Sequence, residues 1–132
     1  MNNSERARQL VFGKEYFIYD IKLCKKFFGG FYYDIYYKHY NILKHEIIEG
    51  SHKTKEESLR VLDILPKLSK EYNYCRFNNH LINFDNLKNV AYENNALKFY
   101  YKDDVMVPIS ASKKDFCKAY GMFLNKYEEK SL

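Results

Sequence analysis

The sequence predicts an α+β fold, mainly β with short helices, and three observations carry that expectation. Tyr and Phe together supply 18% of 132 residues, with no Trp, and both favour the pleated, half-buried surface of a sheet. Apolar runs are punctuated by Gly29-Gly30, Asn94-Asn95 and Asp103-Asp104, the turn chemistry that joins neighbouring strands. Two stretches depart from this pattern, each with capping residues followed by apolar positions at helical spacing.

In chain order, residues 1–13 ("MNNSERARQLVFG") are polar and are expected to be a flexible segment, a short helix or a tail, ahead of a single domain over 14–132. "EYFIYDIKLC", "FYYDIYYKHY" and "ILKHEII" then predict three strands, although their apolar positions do not alternate strictly. Thr54 with Glu57 three residues later forms a capping box, in which each side chain satisfies an otherwise orphaned N–H. Leu59, Leu62, Leu65 and Leu68 follow on one helical face, and Pro66 predicts a kink or stop near Leu65. "CRFNNHLIN" predicts a polar-decorated strand. "KNVAYE", "ALKFYY" and "VMVPI" predict a meander whose last strand, carrying Pro108, lies at an edge. Ser112 and Asp115 cap a final helix, with Phe116, Tyr120, Phe123 and Tyr127 as its buried stripe.

Composition narrows the function. Lys and Arg number 22 against 17 acidic residues, a formal charge of +5, which fits a polyanionic partner. Four of those cations are Arg, so diffuse lysine–phosphate contact outweighs bidentate reading of bases. Cys24, Cys75 and Cys117 are far apart and odd in number, which implies neither a disulfide framework nor a zinc site. With no apolar leader and no run of membrane-spanning length, a cytoplasmic protein without a membrane partner is expected. No phosphate-cradling loop, zinc-protease helix or nucleophile elbow is present, so no enzyme activity, cofactor or metal is expected.

The order of motifs from Asp34 to Phe116 resembles the LytTR DNA-binding domain of bacterial response regulators. "DIYY" occupies the family's strand start, "KHYNILKH" its polar loop, "ESLRVLDIL" its helix start, "CRFNNHLIN" its central segment and "VPISASKKDF" its closing element. The resemblance implies a multi-stranded β domain with a C-terminal helix that reads DNA through loops and strand ends. It implies a transcription regulator acting on double-stranded DNA, on direct repeats, as a homodimer or beside a related regulator. The family's readers fall on His45 (or Lys44) and on Asn78. The family's closing Arg falls at Ser110 or Ala111, and its first central Arg at Cys75; neither Arg is present.

The candidate DNA-binding residues are therefore His39, Lys44, His45, Arg76, Asn78, Asn79, Lys113 and Lys114. Each has a plainer alternative. Asn78, Asn79 and His80 suit a turn in which Asn bonds its own backbone. His39, Lys44 and His45 suit a solvated hairpin, and Lys113 and Lys114 an exposed helix turn. Cys75 beside Arg76 is either a reactive thiolate or an inert thiol. The missing arginines favour a second possibility, a LytTR-like module that contacts protein instead of specific DNA.

Overall fold

The computed structural model describes residues 2–68 and 73–131, with side chains through Lys126. The chain forms two units, Met1–Asn83 and Phe84–Leu132, where the sequence predicts one domain over 14–132. No Gly-, Pro- or Ser-rich linker marks the division; Asn83 and Phe84 are consecutive and both buried.

The first unit is a five-stranded antiparallel sheet. Its strands are β1 (Tyr16–Lys25), β2 (Phe31–His39), β3 (Ile42–Glu49), β4 (Tyr74–Phe77) and β5 (His80–Asn83), in the order β3-β2-β1-β5-β4. The imperfect alternation of "YFIYDIKLC" has a direct cause. Ile18 pairs with Tyr37 but Asp20 with Tyr36, so Tyr19 is an extra residue in β1. This bulge shifts the phase by one, and Ile18 and Ile21 consequently share one face. Helices α1 (Asn3–Phe12) and α2 (Lys55–Leu68) supply Leu10, Val11 and Leu62 to the core built on that face.

Of the two readings of this opening segment, the short helix is the one found, over Asn3–Phe12. Asn2 caps α1 by accepting from the Glu5 N–H at 2.8 Å, and Leu10 is 0% exposed. The short spacing of Ala7, Leu10 and Val11 was a real apolar stripe hidden among polar neighbours. Arg6 fastens it: Nε and Nη2 donate to the two carboxylate oxygens of Glu46 on β3 at 2.7 and 2.8 Å, and the guanidinium lies over Tyr16. The pairing raises the pKa of Arg6 and lowers that of Glu46, the side-chain hydrogen bond being the first cause of both. A lowered carboxylate stabilises the fold above the ordinary glutamate range and loses that contribution as pH falls through its lowered value. Arg6→Ala is expected to cost about 1–3 kcal/mol. Hydrogen exchange should then quicken across Asn3–Phe12, and part of the acid dependence of stability should vanish.

Helix α2 begins as the sequence predicts, with the Glu57 N–H donating to Thr54 Oγ1 at 3.2 Å. It does not stop at Leu65. It runs on to Leu68 through Pro66, because a proline so near the end removes an N–H only from the final turn.

The second unit is a three-stranded sheet, β6 (Leu87–Glu93), β7 (Ala96–Tyr101) and β8 (Met106–Ser110), followed by α3 (Lys113–Ser131). Pro108 lies on an edge strand, where its missing N–H costs no ladder bond. Asn94 and Asn95 both adopt positive φ in the β6–β7 turn, a conformation Asn tolerates. Ser112 and Asp115 cap α3 reciprocally. Its buried centre is Ala119, whereas Phe116 and Phe123 are half-buried and Tyr120 is exposed. The small residue lets α3 approach closely, and the aromatics line its flanks; Phe116 stacks on Tyr92 of β6. The side chain of Tyr127 lies outside the described residues.

Candidate nucleic-acid interface

Six of the eight candidate residues belong to the first unit, and within it they do not share one surface. Lys113 and Lys114 are exposed in the first turn of α3, in the second unit. The other six belong to the five-stranded sheet but occupy different borders of it. Lys44 and His45 are on β3 and Arg76 on β4, the two opposite edges, about 19 Å apart at ordinary strand spacing. His39 ends β2 beside Tyr16, whereas Asn79 meets Leu23 at the other end of β1, about 23 Å further along the strand.

Local chemistry reinforces this separation. The His39 ring stacks on Tyr16 with centroids 4.7 Å apart. Lys44 and His45 are adjacent on a strand and so point to opposite faces. His45 Nδ1 lies 3.3 Å from Asp34 Oδ1, and His52 Nδ1 3.1 Å from Glu57.

The central segment is a hairpin, not one polar strand. Phe77 pairs with His80, leaving Asn78-Asn79 as a two-residue turn, and Asn78 takes φ 54°. Asn is among the few residues that adopt this region readily, which explains the Asn pair. The turn is tied to β1 twice: Asn79 Nδ2 donates to the Leu23 carbonyl, and the Leu23 N–H donates to the Asn79 carbonyl, both at 2.8 Å. Asn79 therefore sits in a turn, as the plainer alternative has it, but its side chain bonds β1 and not its own backbone, while Asn78 is exposed at the tip. Phe77, Leu81 and Ile82 anchor the hairpin in the interior.

Arg76 stands beside Asn78 but is engaged locally. Its Nε donates to Asp63 on α2 at 2.6 Å, and Nη1 donates to the Asn78 carbonyl at 2.7 Å. His80 is buried, with Nδ1 at 2.9 and 3.2 Å from the two oxygens of Asp20. Burial pushes the Asp20 carboxyl above the ordinary aspartate range, with the His80 hydrogen bond opposing the shift. Three residues further along β5, Asn83 Nδ2 donates to the Ile18 carbonyl at 2.8 Å in a fully buried position. His80 and Asn83 are structural, which removes them from any surface.

What the fold does assemble is a groove at the Asn78 end of the sheet. It has a volume of about 690 Å³ and an apolar base of Leu23, Phe31 and Leu59. Its rim brings together Lys25 from β1, Lys55 from α2, and Arg76, Asn78 and Asn79 from the hairpin. Neither Lys25 nor Lys55 takes part in an ion pair among the described residues. Glu57, two residues from Lys55, is turned away onto Thr54 and His52. The groove thus presents two uncompensated ammonium groups and amide donors and acceptors, a chemistry suited to phosphate with some capacity for base edges.

Sequence reasoning found Arg76, Asn78 and Asn79 but missed Lys25 and Lys55, which lie 30 residues apart in the chain and meet only through the packing of α2. It also passed over "KKFFGG". In the β1–β2 turn, Phe27 and Phe28 are 93% and 96% exposed and meet edge to face. Positive φ at Gly29 and Gly30 turns the chain back. Two adjacent phenylalanines before Gly-Gly were a legible signal for an exposed aromatic tip. No family model, curated protein or solved structure matches the chain.

Proposed function

We propose that the protein is a LytTR-like DNA-binding regulator that meets double-stranded DNA with the Asn78 end of its five-stranded sheet. One observation carries the reading: Lys25, Lys55, Arg76, Asn78 and Asn79 converge on a single groove. Lys25 and Lys55 contact phosphates, Arg76 braces the hairpin, and Asn78 reaches base edges from the turn. The motif order from Asp34 to Phe116 supports the same assignment, since LytTR-type reading also uses loops and strand ends. His39, Lys44 and His45 are left out of this interface by their positions.

The test is selection from a pool of random duplexes at low and near-physiological salt, followed by titration of the enriched site. Lys25→Gln and Lys55→Gln are each expected to weaken all sequences alike and to make the salt slope shallower by about 1. Arg8→Gln, which removes the same charge from α1, should change the slope far less. Asn78→Ala is expected to cost about 1–3 kcal/mol at the enriched site and to relax preference at one position. Retention of no duplex at low salt would end the DNA reading.

The exposed Phe27–Phe28 tip favours a second reading, a module that contacts a related regulator protein. Under that reading Phe27→Ser with Phe28→Ser abolishes partner binding, and Lys25→Gln with Lys55→Gln leaves it nearly intact.

A further inference from the structure

We infer that β3 is a self-recognition edge, through which two copies of this chain pair antiparallel into one continuous ten-stranded sheet. The inference is independent of the DNA reading. β3 ends the sheet order, so one side of its backbone has no strand partner among the described residues of the first unit. An unpaired edge of this length is a template for another strand unless bulges, prolines or charges blunt it. β3 has neither bulge nor proline: it pairs with β2 in unbroken register over all eight residues.

The ladder fixes which residues face outward. The Gly50 N–H donates to the Phe31 carbonyl at 2.9 Å, directly after the Tyr32–Glu49 pair. In an antiparallel ladder, bonded and non-bonded pairs alternate. Ile42, Lys44, Glu46 and Ile48 therefore bond inward to β2, and Leu43, His45, Ile47 and Glu49 direct their N–H and C=O groups outward. A second strand must set outward residues against outward residues, so the two-fold axis passes through one residue of β3, outward or inward. An axis on Lys44 or Glu46 sets like charges against each other, and one nearer a strand end shortens the pairing.

Centring on His45 sets that residue against its own copy and gives apolar or opposite-charge partners on both sides of the axis. Leu43 then faces Ile47 of the second copy, and Ile47 faces Leu43. Lys44 faces Glu46 in both directions, beside the Arg6 guanidinium that already holds that carboxylate. Leu43 and Ile47 are 46% and 56% exposed, and they lie on the face away from α1 and α2, because Ile48 belongs to the helix-covered core. Pairing would bring these two side chains from each copy together in a short apolar stripe, with the Lys44 and Glu46 charges on the opposite face of the strand. Shifting the axis to Leu43 or Ile47 loses this: that residue then faces its own copy, the other apolar residue faces no residue of β3, and Lys44 no longer meets Glu46. Cross-strand pairs of these kinds are the units that stabilise and register a sheet.

Sedimentation equilibrium of the full chain into the high micromolar range should show a dimer. Leu43→Lys and Ile47→Glu should each shift the protein to monomer by at least tenfold in dissociation constant, whereas the double variant, whose new charges face each other, should recover. Mild oxidation should crosslink His45→Cys as a dimer, since the Cα atoms of a bonded pair on the axis are about 5.5 Å apart. Lys44→Cys should not crosslink, and circular dichroism should confirm that each variant folds. A monomer throughout, a dimer indifferent to Leu43→Lys and Ile47→Glu, or equal crosslinking of the two cysteine variants would each overturn the assignment.

Discussion

Asp20→Ala is expected to destabilise the protein by about 3–5 kcal/mol, the cost of leaving one member of a buried pair without its partner. Asp20 and His80 are 7% and 9% exposed, and the His80 Nδ1–H has both carboxylate oxygens within 3.2 Å. Asp20→Asn keeps an oxygen to accept that bond while removing the charge that burial disfavours. It should therefore cost far less than alanine. The pH dependence has a definite sign. Burial raises the Asp20 pKa, and Asp34 acts in the same direction, while His80 and Lys22 oppose it. The folded state then binds the proton more tightly than the unfolded state. The resulting stabilisation is complete below the ordinary aspartate range and is lost as pH rises through the raised value. Urea denaturation of the native and Asp20→Asn proteins across that window should give stability–pH curves that are not parallel, with the native protein losing more as pH rises. Glu46 contributes equally to both and cancels. Equal destabilisation by Asn and Ala, or parallel pH curves, would remove the pair from its proposed role.

The strands were legible because their turns are written in residues that dictate backbone geometry. Gly29-Gly30 and Asn94-Asn95 occupy positive φ, so their identity fixes where the chain reverses. The polar run Arg76 to His80 left two readings open for the converse reason. Asn78 and Asn79 are as good at turning a chain as at reading a base, and the turn shows itself only in the pairing of Phe77 with His80. His80 resembled a surface histidine until its partner, 60 residues upstream, came into view. Long-range pairing also explains what was missed at the site. Lys25 and Lys55 carry no local signal, since an isolated lysine at a strand end or a helix start is ordinary. Their convergence depends on where Leu62 seats α2. Likewise, the bulge at Tyr19 has no Gly or Pro to announce it, and the irregular apolar pattern was its only trace.

That seating leads to the second large effect. The four leucines of α2 looked equivalent in sequence, but the fold grades them. Leu62 is 0% exposed in the core, Leu59 and Leu65 are partly buried against it, and Leu68 is 63% exposed. Leu62→Ala should cost about 2–5 kcal/mol, combining lost burial with the cavity left behind. Leu68→Ala should stay within about 0.5 kcal/mol of the native protein. Thr54→Ala, which removes the cap and nothing from the core, should fall between them at about 1 kcal/mol. Chemical denaturation with an unchanged m-value distinguishes these costs from a change in the unfolded ensemble. The consequence extends to the groove, because α2 carries Lys55 on its rim and holds Asp63 against Arg76. Under conditions where Leu62→Ala is still folded, loosening of α2 should weaken duplex binding as Lys55→Gln does, with a shallower salt slope. Leu68→Ala should bind as the native protein does. A Leu62→Ala protein that melts early yet binds DNA with the native salt slope would separate the position of α2 from the interface, and Lys55 would lose its place in it.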